Sequence, residues 1–226
     1  MRIGIIGGGG VAQTLGTALI AKGHDVVIGI RQPSSAELAK DRSNARPLAE
    51  WVATTGGKVA TFSDAARHGE VLINATSGQH SLEALHAAGA AHLAGKVLID
   101  VANPLDFSKG MPPFVLAEFS GPTSLGEQVQ AAFPQARVVK AFNTIAAAVM
   151  VTPSLVAGEH DLFIAGNDAQ AKAVVTEIAK AFGWTGVVDL GDIVGARASE
   201  SILPVWVRLW MTGGSPILNL KVARAA

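Results

Sequence analysis

Four consecutive glycines, residues 7 to 10, separate a short apolar segment from an amphipathic one, and no other part of the sequence constrains the fold as strongly. Residues 3–6 are apolar and rich in isoleucine, which predicts a buried strand. Residues 11–22 carry apolar side chains at helical spacing and precede Gly23, a typical helix stop. Residues 25–29 predict a second buried strand. The first thirty residues therefore predict a βαβ unit.

The alternation of strands and helices continues along the 226 residues. It favours an α/β fold with a Rossmann-type, doubly wound parallel sheet. We expect Ser63 to cap a short helix and Pro204 to offset a long C-terminal one. The further strands are predicted at 58–61, 71–75, 96–101, 137–141, 162–165 and 185–189, and the further helices at 35–42, 47–54, 81–91, 126–133, 169–182 and 196–211.

The glycine turn fits the dinucleotide-binding pattern G-x-G-x-x-G/A. Gly7 would make the tight turn, Gly9 would let a pyrophosphate approach the backbone, and Ala12 would let the helix pack on the strand. The N–H groups at the start of the helix would bind the phosphates. The alternative is a flexible turn without a ligand. The predicted contacts in this turn are Gly7, Gly8, Gly9, Gly10, Val11 and Ala12.

The end of the second strand favours NADP(H) over NAD(H). An NAD site places a carboxylate there for the ribose hydroxyls, but residues 26–36 contain no acidic residue. Arg31 can instead hold a 2′-phosphate, and we add Gln32 and Ser34 as neighbouring contacts. The alternative for Arg31 is a solvated loop charge. We assign residues 1–150 to an NADP-binding domain and residues 151–226 to a small C-terminal α/β extension with the acceptor site and dimer contacts.

Loops at the carboxyl ends of the other strands are predicted to hold the nicotinamide half, because ligands of doubly wound sheets bind beyond those ends. Asn103 and Asn143 can hydrogen-bond a ribose or a carboxamide, although either could be an ordinary turn residue. The predicted contacts in these loops are Ala75, Thr76, Asn103, Pro104, Ala141, Phe142 and Asn143.

Composition excludes several classes of function. The chain has 18 Lys and Arg against 18 Asp and Glu and no basic cluster, so we expect no nucleic-acid partner. It has no Cys, no Tyr and no His-Glu-x-x-His motif, so we expect neither a thiolate nor a tyrosine acid nor a metal site. No targeting or membrane segment is visible, so we expect a cytoplasmic protein without a membrane partner. Charge neutrality gives little colloidal repulsion, which fits a chain that hides surface in an oligomer, and we expect a homodimer.

Residues 3–12, IGIIGGGGVA, followed by Gly29, Ile30 and Arg31, resemble the NADP oxidoreductases that use the deazaflavin coenzyme F420. Cytosolic domains of membrane ferric reductases share that nucleotide fold. The segments VANPL (101–105), VVKAFNT (138–144) and DLFIAGND (161–168) strengthen the resemblance. Gly10 stands where the family often has Asn or a similar polar residue, and Ile30 stands where it often has Ser. The absence of that Ser removes one hydroxyl that could bind the phosphate. The resemblance implies hydride transfer between NADP(H) and a second redox partner, whose identity it does not fix. We predict a flat small-molecule redox acceptor, such as a deazaflavin or a flavin.

Hydride transfer between two flat rings needs proximity and orientation more than an acid or a base. We therefore predict no certain catalytic side chain, with His80 as the one possibility. Lys140 falls in a predicted strand, and Glu200 is expected to pair with Arg197 or Arg208. The alternatives are a non-catalytic NADP(H)-binding sensor and a reductase of a small carbonyl or imine.

Overall fold

The computed structural model describes residues 1–42 and 44–225, so Ala226, the last residue of the predicted extension, lies outside the described residues. The strands are β1 (Arg2–Ile6), β2 (Asp25–Ile30), β3 (Lys58–Thr61), β4 (Val71–Asn74), β5 (Val97–Asp100), β6 (Leu105–Asp106), β7 (Phe114–Val115), β8 (Arg137–Ala141), β9 (Asp161–Gly166) and β10 (Gly186–Asp189). The helices are α1 (Gly10–Ala21), α2 (Ser35–Ala39), α3 (Leu48–Thr55), α4 (Phe62–His68), α5 (Ser81–Ala88), α6 (Ala90–Leu93), α7 (Leu125–Ala132), α8 (Ala147–Val151), α9 (Ala169–Phe182), α10 (Ala196–Ser201) and α11 (Leu203–Gly213).

Eight strands form one sheet in the order β10-β9-β8-β5-β4-β1-β2-β3, and β6 and β7 form a separate hairpin. The chain starts at β1, extends to β2 and β3 on one side, and continues through β4, β5 and β8 on the other side. This reversal between β1 and β4 is the place where doubly wound sheets bind their ligands. The predicted Rossmann-type α/β fold is confirmed.

One pairing departs from the predicted parallel sheet, because β9 runs antiparallel to β8. A parallel neighbour needs a crossover that carries the chain back across the sheet. Here α8 is only five residues long and packs against α1 instead. The chain therefore enters β9 from the edge at which it left β8. Strand β10 pairs in parallel with β9, so both of these strands run against the rest of the sheet.

Helix α4 crosses β1 and β2 at close range, because two glycines face it. A side chain at Gly4 or Gly29 would overlap Ala65 of this helix. The hydroxyl of Thr61 caps the helix by accepting a hydrogen bond from the backbone N–H of Asp64 at 3.1 Å. The prediction of Ser63 as the cap was wrong, since the helix already begins at Phe62.

The predicted C-terminal helix is divided into α10 and α11. Pro204 lies in the first turn of α11, where a missing N–H costs no helical hydrogen bond. Helix α11 buries Leu203 and Val207 and exposes Val205 and Leu209. Across the described ranges, no helix combines the length and the apolar character that a bilayer crossing requires.

Candidate functional site

The glycine turn leads from β1 into α1 at the carboxyl edge of the sheet. Gly7 has a φ of 116°, and a side chain there would come within 2.5 Å of the carbonyl oxygen of Ala75. A side chain at Gly8 would meet Ile30, and one at Gly10 would meet the carbonyl oxygen of Asn44. Three of the four glycines are therefore required by the packing of the protein itself.

Gly9 differs, because a side chain at this position would meet nothing within 4 Å. It is the N-cap of α1, and no side chain caps the helix there. Helix α1 has 12 residues, and its first backbone N–H groups have no partner within the helix. Val11 is half-buried and Ala12 is fully buried. The open space beside Gly9, with free N–H groups, fits a pyrophosphate.

The end of β2 opens into a cavity shared with the glycine turn. Its lining includes Arg31 and Gln32, and also two further cations, Lys40 and Arg42, which the sequence analysis missed. The guanidinium of Arg31 lies 2.8 Å from the carboxylate of Glu83, and both side chains are exposed. The lining also includes Glu37, so three cations and one carboxylate face this cavity, and their net positive charge suits a 2′-phosphate.

The segment after Arg31 is held by local contacts. The hydroxyl of Ser34 caps α2 by accepting from the backbone N–H of Glu37 at 3.2 Å. The Glu37 carboxylate lies 2.9 Å from Arg42 and 3.9 Å from Lys40. Glu37 is thereby neutralised by cations rather than free to bind ribose hydroxyls.

The loops after β4, β5 and β8 meet at the same edge of the sheet. The side-chain amide of Asn103 donates to the carbonyl oxygen of Asn143 at 2.7 Å, so these two predicted residues are neighbours. Gly78 lies against the carbonyl oxygen of Asn103 so closely that a side chain there would overlap it. Ala141, Phe142 and Pro104 are buried, and Phe142 adopts a φ of 62°.

Three buried polar atoms in these loops have no hydrogen-bond partner within residues 1–42 and 44–225. They are Oδ1 of Asn103 and both side-chain polar atoms of Asn143. Asn143 is only 2% exposed, so these atoms are costly to leave unpaired. Thr76, in the loop after β4, donates its hydroxyl to Asn74 at 2.7 Å, and the carbonyl of neighbouring Ala75 faces Gly7. The unpaired amide groups fit a ligand with donors and acceptors, such as a carboxamide.

Beneath these loops lies a buried cluster of three charged side chains, Asp100, Lys140 and Glu200. The Lys140 ammonium is 3.0 Å from Asp100 and 2.8 Å from Glu200, and it donates to the carbonyl oxygen of Ala102 at 2.6 Å. Burial by itself would lower the pKa of Lys140, but the two carboxylates outweigh it and raise that pKa. Lys140 is therefore a charged and enclosed group, and it lies in β8 as predicted for residues 137–141.

The expected pairing of Glu200 with Arg197 or Arg208 was wrong. Glu200 pairs with Lys140 and accepts from the backbone N–H groups of Leu125 and Gly126, at 2.8 Å and 3.0 Å. Arg197 pairs with Glu127 instead, at 2.6 Å. Glu200 thus points from α10 towards the sheet and the start of α7.

His80 lies outside this cluster and is exposed. Its ring is 3.8 Å from the carboxylate of Glu83, and its Nε2 is 2.9 Å from the side-chain amide of Gln79. No group of three His, Asp or Glu side chains suited to a metal ion occurs in the described part of the chain.

The strand order and the glycine turn define a protein of the dinucleotide-binding Rossmann class. A family model described as NADP oxidoreductase coenzyme F420-dependent matches residues 2–104. A crystal structure from Arthrobacter sp. FB24, of a provisionally assigned F420-dependent NADP reductase, is 47% identical. Its TM-score is 0.93, and the match covers 99% of this chain and 100% of that one. The chain therefore belongs to the F420-dependent NADP oxidoreductase family.

The chain is also similar to two curated proteins. F420-dependent NADP reductase of Methanocaldococcus jannaschii is 29% identical, and the match covers 92% of each chain. Metalloreductase STEAP3 of Rattus norvegicus is 32% identical over 91% of this chain, which spans only 38% of that protein's length. The predicted family and the predicted class, an NADP-dependent oxidoreductase, are confirmed.

Proposed function

We propose that this protein binds NADP(H) across the crevice between β1 and β4 and transfers a hydride between it and a flat redox acceptor, such as a deazaflavin or a flavin. The observation that carries this proposal is the set of unpaired buried amide atoms of Asn103 and Asn143. They lie beyond the strands on one side of the crevice, and the cations around Arg31 lie on the other side. A dinucleotide has its carboxamide and its 2′-phosphate at opposite ends, and this arrangement of groups on the two sides of the crevice suits it.

The adenosine half would lie along the glycine turn. The N–H groups at the start of α1 bind the pyrophosphate beside Gly9, and Arg31 binds the 2′-phosphate after releasing Glu83. Gln32 and Ser34 lie beside Arg31 in sequence, and both are exposed. Lys40 and Arg42 line the same cavity with Glu37, which pairs with both of them, so these three groups together add one net positive charge. The net positive charge of the cavity at the end of β2 therefore supports NADP(H) rather than NAD(H) as the cofactor.

The nicotinamide half would lie against the loops that contain Ala75, Thr76 and Pro104. Asn103 and Asn143 hydrogen-bond the carboxamide or the ribose, and Phe142 with Ala141 forms part of the apolar floor. Bound NADPH supplies the hydride, and the protein orients the ring towards the acceptor.

No described side chain near these loops is suited to act as an essential acid. The Lys140 ammonium has three acceptors within 3.0 Å, on Asp100, Glu200 and the carbonyl of Ala102, and the residue is 1% exposed. His80 is exposed and faces Glu83. Transfer between two rings that need no protonation by the protein is consistent with both observations.

An apolar surface next to the nicotinamide end supports a flat acceptor and a second subunit. Strand β7 packs against α11, and the backbone of Leu116, which follows β7, donates to Pro104 at 2.8 Å. The exposed residues there include Phe114, Val205 and Leu209. We propose that this surface is covered by the acceptor and by a second copy in a homodimer. Light scattering at micromolar concentration tests the dimer, and a monomer there would contradict it.

The function is tested by calorimetric titration with NADPH and NADH, followed by anaerobic mixing of the NADPH complex with a deazaflavin, a flavin and a ferric chelate. We expect tighter binding of NADPH and rapid reduction of at least one ring acceptor. NADPH binding without reduction of any acceptor would support a sensor instead. An imine and a small carbonyl are included as further acceptors, and turnover with these alone would favour that class of reductase.

A further inference from the structure

We propose that the buried Asp100–Lys140–Glu200 cluster positions the nicotinamide half of the cofactor by fixing the loop that carries Asn103. The inference rests on the proposed function. It concerns buried residues other than those proposed to contact NADP(H). It assigns the cluster as a set of positioning residues, with no contact to the substrate.

The cluster holds both backbone polar groups of Ala102. The Asp100 carboxylate accepts from the N–H of Ala102 at 3.3 Å, and Lys140 donates to its carbonyl oxygen at 2.6 Å. Ala102 is 2% exposed and immediately precedes Asn103. Two hydrogen bonds to charged groups thus fix the backbone from which the Asn103 side chain extends towards Asn143.

The same carboxylate is connected to the loop after β4. Asn74 donates its amide to Asp100 at 2.8 Å and to the Ser81 hydroxyl at 3.1 Å. Its Oδ1 accepts the hydroxyl of Thr76 at 2.7 Å. Two of the three loops proposed to hold the nicotinamide half therefore share Asp100 as an anchor.

Glu200 extends this network to the C-terminal helices. It joins α10 to Lys140 and to the first N–H groups of α7. Helices α7 and α10 can come this close because residue 126 is glycine, and a side chain there would overlap Ala196 of α10. Buried ion pairs are weak evidence for stability, since desolvation of the charges offsets their attraction. An arrangement that fixes two loop backbones is better explained by the need to hold their side chains in place.

The experiment compares NADPH with adenosine 2′,5′-bisphosphate, which lacks the nicotinamide half. Asp100→Asn keeps an acceptor for Ala102 and replaces the oxygen that faces Lys140 with an amide nitrogen. We expect unchanged affinity for the bisphosphate and about 3- to 10-fold weaker binding of NADPH, the effect of a lost or misplaced hydrogen bond. We also expect hydride transfer to fall by about 10- to 100-fold, as for misplaced reacting groups. Glu200→Gln should also weaken NADPH binding and slow hydride transfer, but by less than Asp100→Asn does.

Arg197→Gln is the matched control, because Arg197 joins α10 to Glu127 of α7 without contacting the cluster. Its ratio of NADPH to bisphosphate affinity should equal that of the wild type. The inference would be overturned if folded Asp100→Asn kept the wild-type ratio of NADPH to bisphosphate affinity, or if this ratio fell equally in Arg197→Gln. If Asp100→Asn does not fold, the ratio for Glu200→Gln decides alone. Wild-type protein that binds neither ligand would instead contradict the proposed function, and the inference with it.

Discussion

The guanidinium of Arg31 lies 2.8 Å from the carboxylate of Glu83, which links the end of β2 to α5 beside the glycine turn. The two side chains are 68% and 62% exposed, so solvent screens their attraction. Arg31 can therefore exchange this partner for a phosphate at little cost. Two predictions depend on this pair.

Replacement of Arg31 by Ala should weaken NADPH binding by about 1.5–3 kcal/mol, the value of a hydrogen bond to a charged group. Binding of NADH, which has no 2′-phosphate, should hardly change. Calorimetric titration of both nucleotides measures the difference. Arg2→Ala is the matched control, because Arg2 forms a similar exposed pair with Glu70 at the opposite edge of the sheet. Equal losses for NADPH and NADH would remove the assignment of Arg31 to the 2′-phosphate.

Replacement of Glu83 by Gln should strengthen NADPH binding by up to about fivefold at low salt, since an exposed ion pair contributes at most about 1 kcal/mol. The cause is the loss of a carboxylate that competes with the 2′-phosphate. The gain should shrink as salt is added. Glu70→Gln serves as the control and should leave affinity unchanged. Weaker NADPH binding in Glu83→Gln would mean that Glu83 orients Arg31 for the phosphate.

Replacement of Gly9 by Val should abolish the binding of both nucleotides and leave the protein folded. The new side chain enters open space in the free protein, and it would occupy the proposed pyrophosphate position. Gly213→Val is the control, because that glycine also has no neighbour within 4 Å of a side chain. Thermal unfolding verifies the fold, and titration measures binding. Retained nucleotide affinity in Gly9→Val would make the turn purely structural.

Glu127 predicts a dependence of stability on acidic pH. The hydrogen bond from Arg197 lowers its pKa below the ordinary value of 4.5, against partial burial and with help from Ser124. A lowered pKa in the folded state gives stability that is present above 4.5 and lost as pH falls through the folded pKa. Wild type should therefore be more stable than Glu127→Gln at pH 7, and urea unfolding should show this advantage vanish in acid. A difference that stays constant with pH would show that the ion pair does not contribute.

The structure also predicts how the rate of hydride transfer depends on pH. Because Lys140 is enclosed and His80 faces solvent and Glu83, we expect a nearly flat profile between pH ~6 and ~8. His80→Ala should reduce the rate by much less than the 10²–10⁴-fold loss of an acid–base residue. Single-turnover rates across this range provide the measurement. A bell-shaped profile that disappears in His80→Ala would indicate protonation of a carbonyl or imine.

The local features of this fold were predictable from sequence. The glycine turn and the apolar strands are contiguous patterns, and strand ends identify loops such as those of Asn103 and Asn143 before their contact is known. The division of the chain at residue 150 stays a prediction, as do the roles of the site residues.

The non-local features were not predictable in the same way. Glu200 meets Lys140 across sixty positions, whereas helical spacing suggested only partners within one or two turns. The direction of β9 depends on how α8 packs against α1, and no local sequence pattern predicts that packing. Lys40 and Arg42 reach the cavity through the course of the chain after α2, although their positive charge near Arg31 was an available signal.

The central claim is that the protein passes a hydride from NADPH directly to a flat ring. The most direct measurement is an anaerobic single turnover with NADPH deuterated at the transferring position of the nicotinamide, with a deazaflavin as acceptor and mass spectrometry of the product. We expect the deuterium to appear in the reduced deazaflavin, with a rate slowed by the isotope. A deazaflavin that bound NADPH reduces without passing on its deuterium, or NADPH that binds but reduces neither a deazaflavin nor a flavin, would contradict this account.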